Sequence, residues 1–269
     1  KMTPTAIKNK ALEYGCEIIE IETTKEDKLI NRLRMIQPDL IIVIAFRILP
    51  KSILSIPKMG SINLHASLLP KYRGPAPINW AIINGDEKTG NTVFFLDSGV
   101  DKGLIINQSH CKITPDMTTG ELYLKLMNQG PEIIIKSINE IASGIYSEFT
   151  QDESKVSKAP KLFKADANIN FAQPATNVHN QIRGMNPWPG SHSFFRGKLV
   201  KILEARESGL TGEIPGEIIS LEEGEVTIAC GEGSVIISKV APQGKKPMSA
   251  SGFINGYKPE CGERFIEGE

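Results

Sequence analysis

Asn63 and His65 stand two residues apart in Ser61-Ile62-Asn63-Leu64-His65, directly ahead of the loop Ser67-Leu68-Leu69-Pro70-Lys71-Tyr72-Arg73-Gly74. Residues 60–66 read as a strand, and on a strand residues i and i+2 share a face. A neutral carboxamide and a titratable imidazole therefore project side by side at a strand's C-terminal end, the edge where open α/β sheets take ligands. Such a donor pair suits a carbonyl oxygen that turns negative during a reaction. Asp101 is the third candidate. It lies in the Gly99-Val100-Asp101-Lys102-Gly103 turn, whose glycines allow a close backbone approach to a ligand. A carboxylate beside His65 orients the ring and favours its charged form. With no Ser or Cys nucleophile in the set, the attacking group belongs to the substrate, a pattern that suits acyl transfer to an amine. Asp97 also lies near a strand end but lacks the glycine-flanked turn and ranks below Asp101.

Composition narrows the class without naming it. The chain has 269 residues, 40% of them hydrophobic and 23% charged, with a net charge of zero, which describes a globular protein of one large or two modest domains. Nucleic-acid binding must then come from local patches, because no global excess of positive charge announces it. Cys16, Cys111, Cys230 and Cys261 show no metal-type spacing, so no metal is expected and reduced thiols in a cytoplasm fit better than a disulfide framework. No apolar run reaches the ~20 residues of a membrane span, and no signal peptide is visible, so no membrane partner is expected.

The elements that must hold these residues follow from periodicity. Residues 5–14 and 25–37 read as helices, residues 17–22 as a strand, and residues 39–45 as a buried parallel strand beside the 60–66 strand. A helix over 75–85, strands over 91–97 and 104–112, and a helix over 118–143 broken at Gly130-Pro131 complete a doubly wound, Rossmann-like α/β domain over residues 1–150. That order opens on a helix where such folds open on a strand, which predicts a chain that begins inside the domain, short of an opening β-α-β portion. Residues 151–175 are polar and irregular. After a helix near 178–185, short strands at 191–195, 199–205, 216–220, 226–230 and 234–240 predict a small antiparallel barrel over 176–269, of the oligonucleotide-binding type.

These residues carry a resemblance. Asn63-Leu64-His65-Ala66-Ser67-Leu68-Leu69-Pro70, then Gly85-Asp86-Glu87-Lys88-Thr89-Gly90 and Val100-Asp101-Lys102-Gly103, resemble the folate-dependent formyltransferases. Asn186-Pro187-Trp188-Pro189-Gly190 and Gly244-Lys245-Lys246-Pro247-Met248-Ser249 are similar to the tail of the branch that acts on methionyl initiator tRNA. The resemblance implies formyl transfer from 10-formyltetrahydrofolate to the α-amine of that tRNA, by a protein acting as a monomer. It implies Asn63, His65 and Asp101 as the catalytic trio, with Asn63 and protonated His65 holding the oxyanion and Asp101 fixing His65 and assisting proton transfer. It also implies Ser67, Leu68, Leu69 and Pro70 as the folate-contacting loop, with Phe46, Ile48 and Leu49 lining the pterin pocket. The family's Gly-Thr-Pro-type loop and its basic insertion loop are not visible in this chain.

Contacts to tRNA are expected from charge. Between Glu153 and Asp166 the only charged residues are Lys155, Lys158, Lys161 and Lys164, a run that could track phosphates. Lys245 and Lys246 form a second patch, and Arg73 could clamp a carboxylate or phosphate or else pair within the fold. The alternatives are a formyltransferase acting on an amino-sugar nucleotide with the same trio and donor, or an inactive RNA-binding fragment.

Overall fold

A computed structural model describes residues 4–23, 27–45, 47–97 and 99–268. Phe46, expected in the pterin pocket, lies outside the described residues. The first half opens with helix α1 (Ala6–Glu13), whose N-cap Thr5 accepts from the Lys8 N–H, followed by α2 (Asp27–Ile36). Strand β1 (Ile41–Ile44), the short helix α3 (Lys51–Leu54) and strand β2 (Ser61–His65) come next, with β1 and β2 parallel and Ile42 opposite Ile62. Helix α4 (Pro77–Ile83) starts on a proline, whose missing N–H costs nothing there. Strand β3 (Lys88–Phe95) pairs antiparallel with β2, and β4 (Ile105–Lys112) pairs antiparallel with β3, in the order β1-β2-β3-β4. The first half is therefore α/β with a mixed sheet.

Helix α5 (Thr119–Ser143) covers one face of that sheet, capped by reciprocal bonds between Thr118 and Glu121. Ile62 and Val93 meet Ile133, Ile134 and Ile141 of α5, and Leu64 and Phe95 pack against that cluster. Strand alternation then turns Asn63 and His65 to the opposite face. No break occurs at Gly130-Pro131, because Pro131 sits inside one continuous helix. The proline removes one ladder bond, but burial of Leu122, Leu126, Ile133 and Ile134 along the same face outweighs that loss. Gly130 allows the close pass, since a Cβ there would lie 3.0 Å from Leu64 Cδ2.

Two further expectations are corrected. Residues 17–22 form no strand, because propensity alone makes none without a partner ladder. β1, expected to be buried, is the edge of the described sheet. Only Val43 of β1 is buried, while Ile42 and Ile44 are 42% and 54% exposed.

The second half begins with α6 (Ala175–Gly184) and continues through β5 (His192–Phe195), β6 (Lys198–Ser208), β7 (Ile218–Ser220), β8 (Val226–Ala229) and β9 (Ser234–Pro242). Strand β10 (Met248–Ser249), helix α7 (Ala250–Tyr257) and strand β11 (Phe265–Ile266) follow, none of them anticipated from the sequence. The antiparallel sheet runs β11-β5-β6-β9-β8-β7, with β10 beside β9. Its ends meet, because Ile218 N–H donates to the Glu263 carbonyl and Phe265 N–H to the Gly216 carbonyl, both at 2.8 Å. Gly216 has φ +85°, and a Cβ there would sit 2.2 Å from the Phe265 carbonyl oxygen, so the closure requires glycine. Ile202, Ile228, Ile237, Phe253 and Phe265 fill the interior.

Helix α6 joins the halves. Asn79 Nδ2 and Thr119 Oγ1 both donate to the Gly184 carbonyl, and Arg183 reaches the Met117 carbonyl. Buried His179 lies on the same helix, 3.5 Å from Asp116 and 3.8 Å from Glu207. Burial and the Arg183 charge hold its imidazole below the ordinary value, and the two carboxylates only partly offset this. A histidine kept neutral by the fold contributes stability above its unfolded pKa of about 6.5, and that contribution is lost as pH falls. The thermal midpoint should therefore drop as pH is lowered from 7 to 5.5, and His179→Gln should flatten that slope. An unchanged slope in the variant would assign the acid sensitivity elsewhere.

Candidate active site

β2 presents Asn63 and His65 on the face away from α5, opposite Phe94 and Thr92 of β3. His65 is 7% exposed, and its Nε2 lies 2.8 Å from the Tyr72 carbonyl. That acceptor makes Nε2 the protonated nitrogen and leaves Nδ1 facing Asp101 Oδ2 at 3.9 Å. This distance is too long for a hydrogen bond, and the two groups attract only when the ring carries both protons. The backbone carbonyl of Tyr72, rather than Asp101, thus fixes the ring. The half-buried Asn63 carboxamide has no hydrogen-bond partner among the described residues, so its donors are free beside His65.

The loop after β2 is held from several sides. Thr92 Oγ1 donates to the Ser67 carbonyl at 2.6 Å and accepts from the Leu69 N–H, while Gln108 Nε2 donates to the Leu69 carbonyl. Ser67 Oγ donates to the Lys71 carbonyl. Ser67 and Leu69 are buried, whereas Leu68 and Pro70 are half-buried. Tyr72 adopts φ +63°, a conformation that costs a non-glycine residue about 1–2 kcal/mol and aims its carbonyl at His65. Its buried phenol, bonded by Asn84, is pushed up to about 12 by desolvation and is a structural group.

Asp101 stands in a left-handed turn with φ +53°, and its Oδ2 accepts from the Gly74 N–H at 2.8 Å. Gly74 passes so close to residue 159 that a Cβ would lie 2.5 Å from the Ala159 carbonyl oxygen. Arg73 and Ala159 bond through their backbones, so residues 157–159 of the connecting segment are stapled onto the site. Arg73 is 8% exposed and its guanidinium is engaged by Gln151 and Glu153, which puts it inside the fold and not on an open face. Asp97 accepts from the Gly99 N–H in an exposed turn of its own. Ile48 is 78% exposed and Leu49 is half-buried.

Of the lysines, Lys158, Lys161 and Lys164 are exposed along the connecting segment, with Lys161 over the Phe163 ring. Lys155 pairs with Asp152 at 2.9 Å, and Lys245 and Lys246 lie exposed in the turn between β9 and β10. Among the described residues no cluster of metal-ligating side chains occurs, and no helix is long and apolar enough to cross a membrane. Thr92, Gln108, Tyr72 and Gln151 escaped sequence reasoning, because each acts on a residue distant in the chain or through its backbone, and spacing carries no signal of that.

Comparison with known proteins finds one family along both halves of the chain. The family described as Formyl transferase matches residues 4–138, and that described as Formyl transferase, C-terminal domain, matches residues 161–258. The methionyl-tRNA formyltransferase of Clostridium novyi (strain NT) is 40% identical over 263 residues, covering 97% of this chain and 85% of its own. That of Geobacter sulfurreducens is 37% identical over 268 residues, covering 99% and 84%. Among solved structures, HypX from Aquifex aeolicus in complex with tetrahydrofolic acid superposes with a TM-score of 0.66 at 18% identity, over 97% of this chain and 47% of that one. WlaRD, a sugar 3N-formyl transferase, superposes with a TM-score of 0.67 at 23% identity, over 89% and 82%. Both halves of the fold thus fall within one class of protein, and the chain belongs to the formyl transferase family.

Proposed function

We propose that this chain transfers the formyl group of 10-formyltetrahydrofolate to the α-amino group of methionyl initiator tRNA. The observation that carries the reading is the free Asn63 carboxamide beside a fixed His65, in a chain about 40% identical to methionyl-tRNA formyltransferases along nearly its whole length. The folate supplies the formyl carbon, and its N10 leaves with the proton that the attacking amine gives up. Asn63 donates a hydrogen bond to the formyl oxygen as negative charge develops there. His65, its Nε2–H held by the Tyr72 carbonyl, has Nδ1 free to take and return a proton on the side facing Asp101. Asp101 stabilises the charged ring across 3.9 Å. The residue 67–70 loop, held by Thr92 and Gln108, forms the wall against which the folate packs.

Residues 1–150 carry the chemistry, 151–175 form the basic linker, and the barrel of 176–269, of the oligonucleotide-binding type, helps to hold the tRNA. Lys158, Lys161, Lys164, Lys245 and Lys246 are the phosphate contacts in this reading. Lys155 contributes less, because Asp152 already pairs with it.

Incubation with 10-formyltetrahydrofolate and either methionyl initiator tRNA or an amino-sugar nucleotide tests the function. Formyl transfer to the tRNA alone supports it. Transfer to the sugar nucleotide, or to neither acceptor, overturns it. In the same assay the KM for tRNA should rise steeply with salt. Replacing Lys245 and Lys246 by alanine should weaken tRNA binding and lower the log–log salt slope by roughly two, about one per phosphate contact. A flat salt response would remove these lysines from the interface.

A further inference from the structure

Buried Gln151 belongs to neither the trio nor the loop, yet its side chain makes four hydrogen bonds to three residues at the site's edge. Its Oε1 accepts from Arg73 Nε and Nη2 at 3.0 and 2.7 Å. Its Nε2 donates to the carbonyls of Asp101 and Gly103, both at 2.9 Å. Next to Arg73, the Gly74 N–H donates to the Asp101 carboxylate at 2.8 Å. The bonds close a ring, in which residues 73 and 74 grip Asp101 twice, once at its carboxylate and once, through Gln151, at its backbone. The turn needs both grips. Asp101 holds φ +53°, a strained conformation for a residue with a Cβ, and Gly103 presses so tightly on β3 that a Cβ would lie 1.6 Å from the Phe95 carbonyl oxygen. Glu153 caps the ring from outside by pairing with Arg73, which holds the Glu153 carboxyl below its usual range.

We propose that Gln151 is a positioning residue, which with Arg73 locks the turn that aims the Asp101 carboxylate at His65. The inference rests on the role given to Asp101 above. Gln151 suits the task because one amide both accepts from a guanidinium and donates to two carbonyls. Glutamate at this position still accepts from Arg73 but has no donor for the Asp101 and Gly103 carbonyls.

Gln151→Glu, Asp101→Asn and the double variant, assayed with 10-formyltetrahydrofolate and methionyl initiator tRNA, test the proposal. Gln151→Glu should lower kcat on the order of ten- to a hundredfold, the scale of a sub-ångström to ångström misplacement, with both KM values within about threefold of wild type. In the Asp101→Asn background it should cost less than about twofold more, because the residue through which it acts is already lost. An equal fall in both backgrounds, an effect carried in KM, or unchanged kcat in folded Gln151→Glu overturns the proposal. Should Gln151→Glu fail to melt cooperatively, Arg73→Lys, which cannot make the forked bond to Oε1, must show the same kcat-only, non-additive signature. Full turnover in Asp101→Asn alone would overturn the active-site reading itself, and this proposal with it. A depressed kcat in Asp101→Asn with additive Gln151→Glu would overturn only the relay.

Discussion

Asn63→Ala should lower kcat for formyl transfer on the order of a hundred- to a thousandfold, equivalent to about 3–4 kcal/mol of lost transition-state stabilisation. The carboxamide is half-buried and makes no hydrogen bond within the described chain, so its removal leaves no orphaned partner. The thermal midpoint should accordingly stay close to that of the wild type, and the folate KM should change little, because the interaction forms as charge develops on the formyl oxygen. Steady-state kinetics and a melting curve on the same sample check both halves of the expectation. Turnover within a few-fold of wild type would remove Asn63 from the chemistry. A large loss of stability would show instead that the carboxamide holds the fold.

Phe253→Ala should destabilise the second half by about 3–5 kcal/mol, a large share of the ~5–15 kcal/mol that stabilises a typical domain. Phe253 is fully buried on α7, stacked 4.7 Å from Tyr257, edge-on at 5.5 Å to Phe195 and 6.2 Å from Phe265. Removing the ring opens a cavity beneath β5 and β11, and β11 is the strand at which the sheet meets its other end. Ile266→Ala, on the same β11 but half exposed, is the matched control and should change stability by less than about 1 kcal/mol. Urea denaturation followed by fluorescence measures both. A Phe253→Ala loss no larger than that of the control would show that α7 is not part of the cooperative core of the second half.

Much of the architecture was legible because it rests on local rules. The helices at 5–14 and 75–85 and the strands at 60–66, 91–97, 104–112 and 234–240 appear within a few residues of their expected bounds. Their apolar spacing, caps and glycine stops act over a single turn or strand. The expectations that failed needed information from elsewhere in the chain. Residues 17–22 have the composition of a strand but join no sheet among the described residues, Gly130-Pro131 would break a helix whose buried face was worth less, and β11 is too short to announce itself.

The same division runs through the site. The sequence alone established that Asn63 and His65 share a strand face, that Asp101 sits in a glycine turn, and that the chain resembles the formyltransferases, because periodicity and motif are properties of neighbouring residues. Only the tertiary structure decided what orients them. The Tyr72 carbonyl, and not Asp101, holds His65, Gly74 and Gln151 hold Asp101, and Arg73 is drawn inward from the surface role it could have had. Those decisions join residues up to 78 positions apart. Buried donors and acceptors must find partners wherever the packed chain brings them, and no local spacing records which ones will meet.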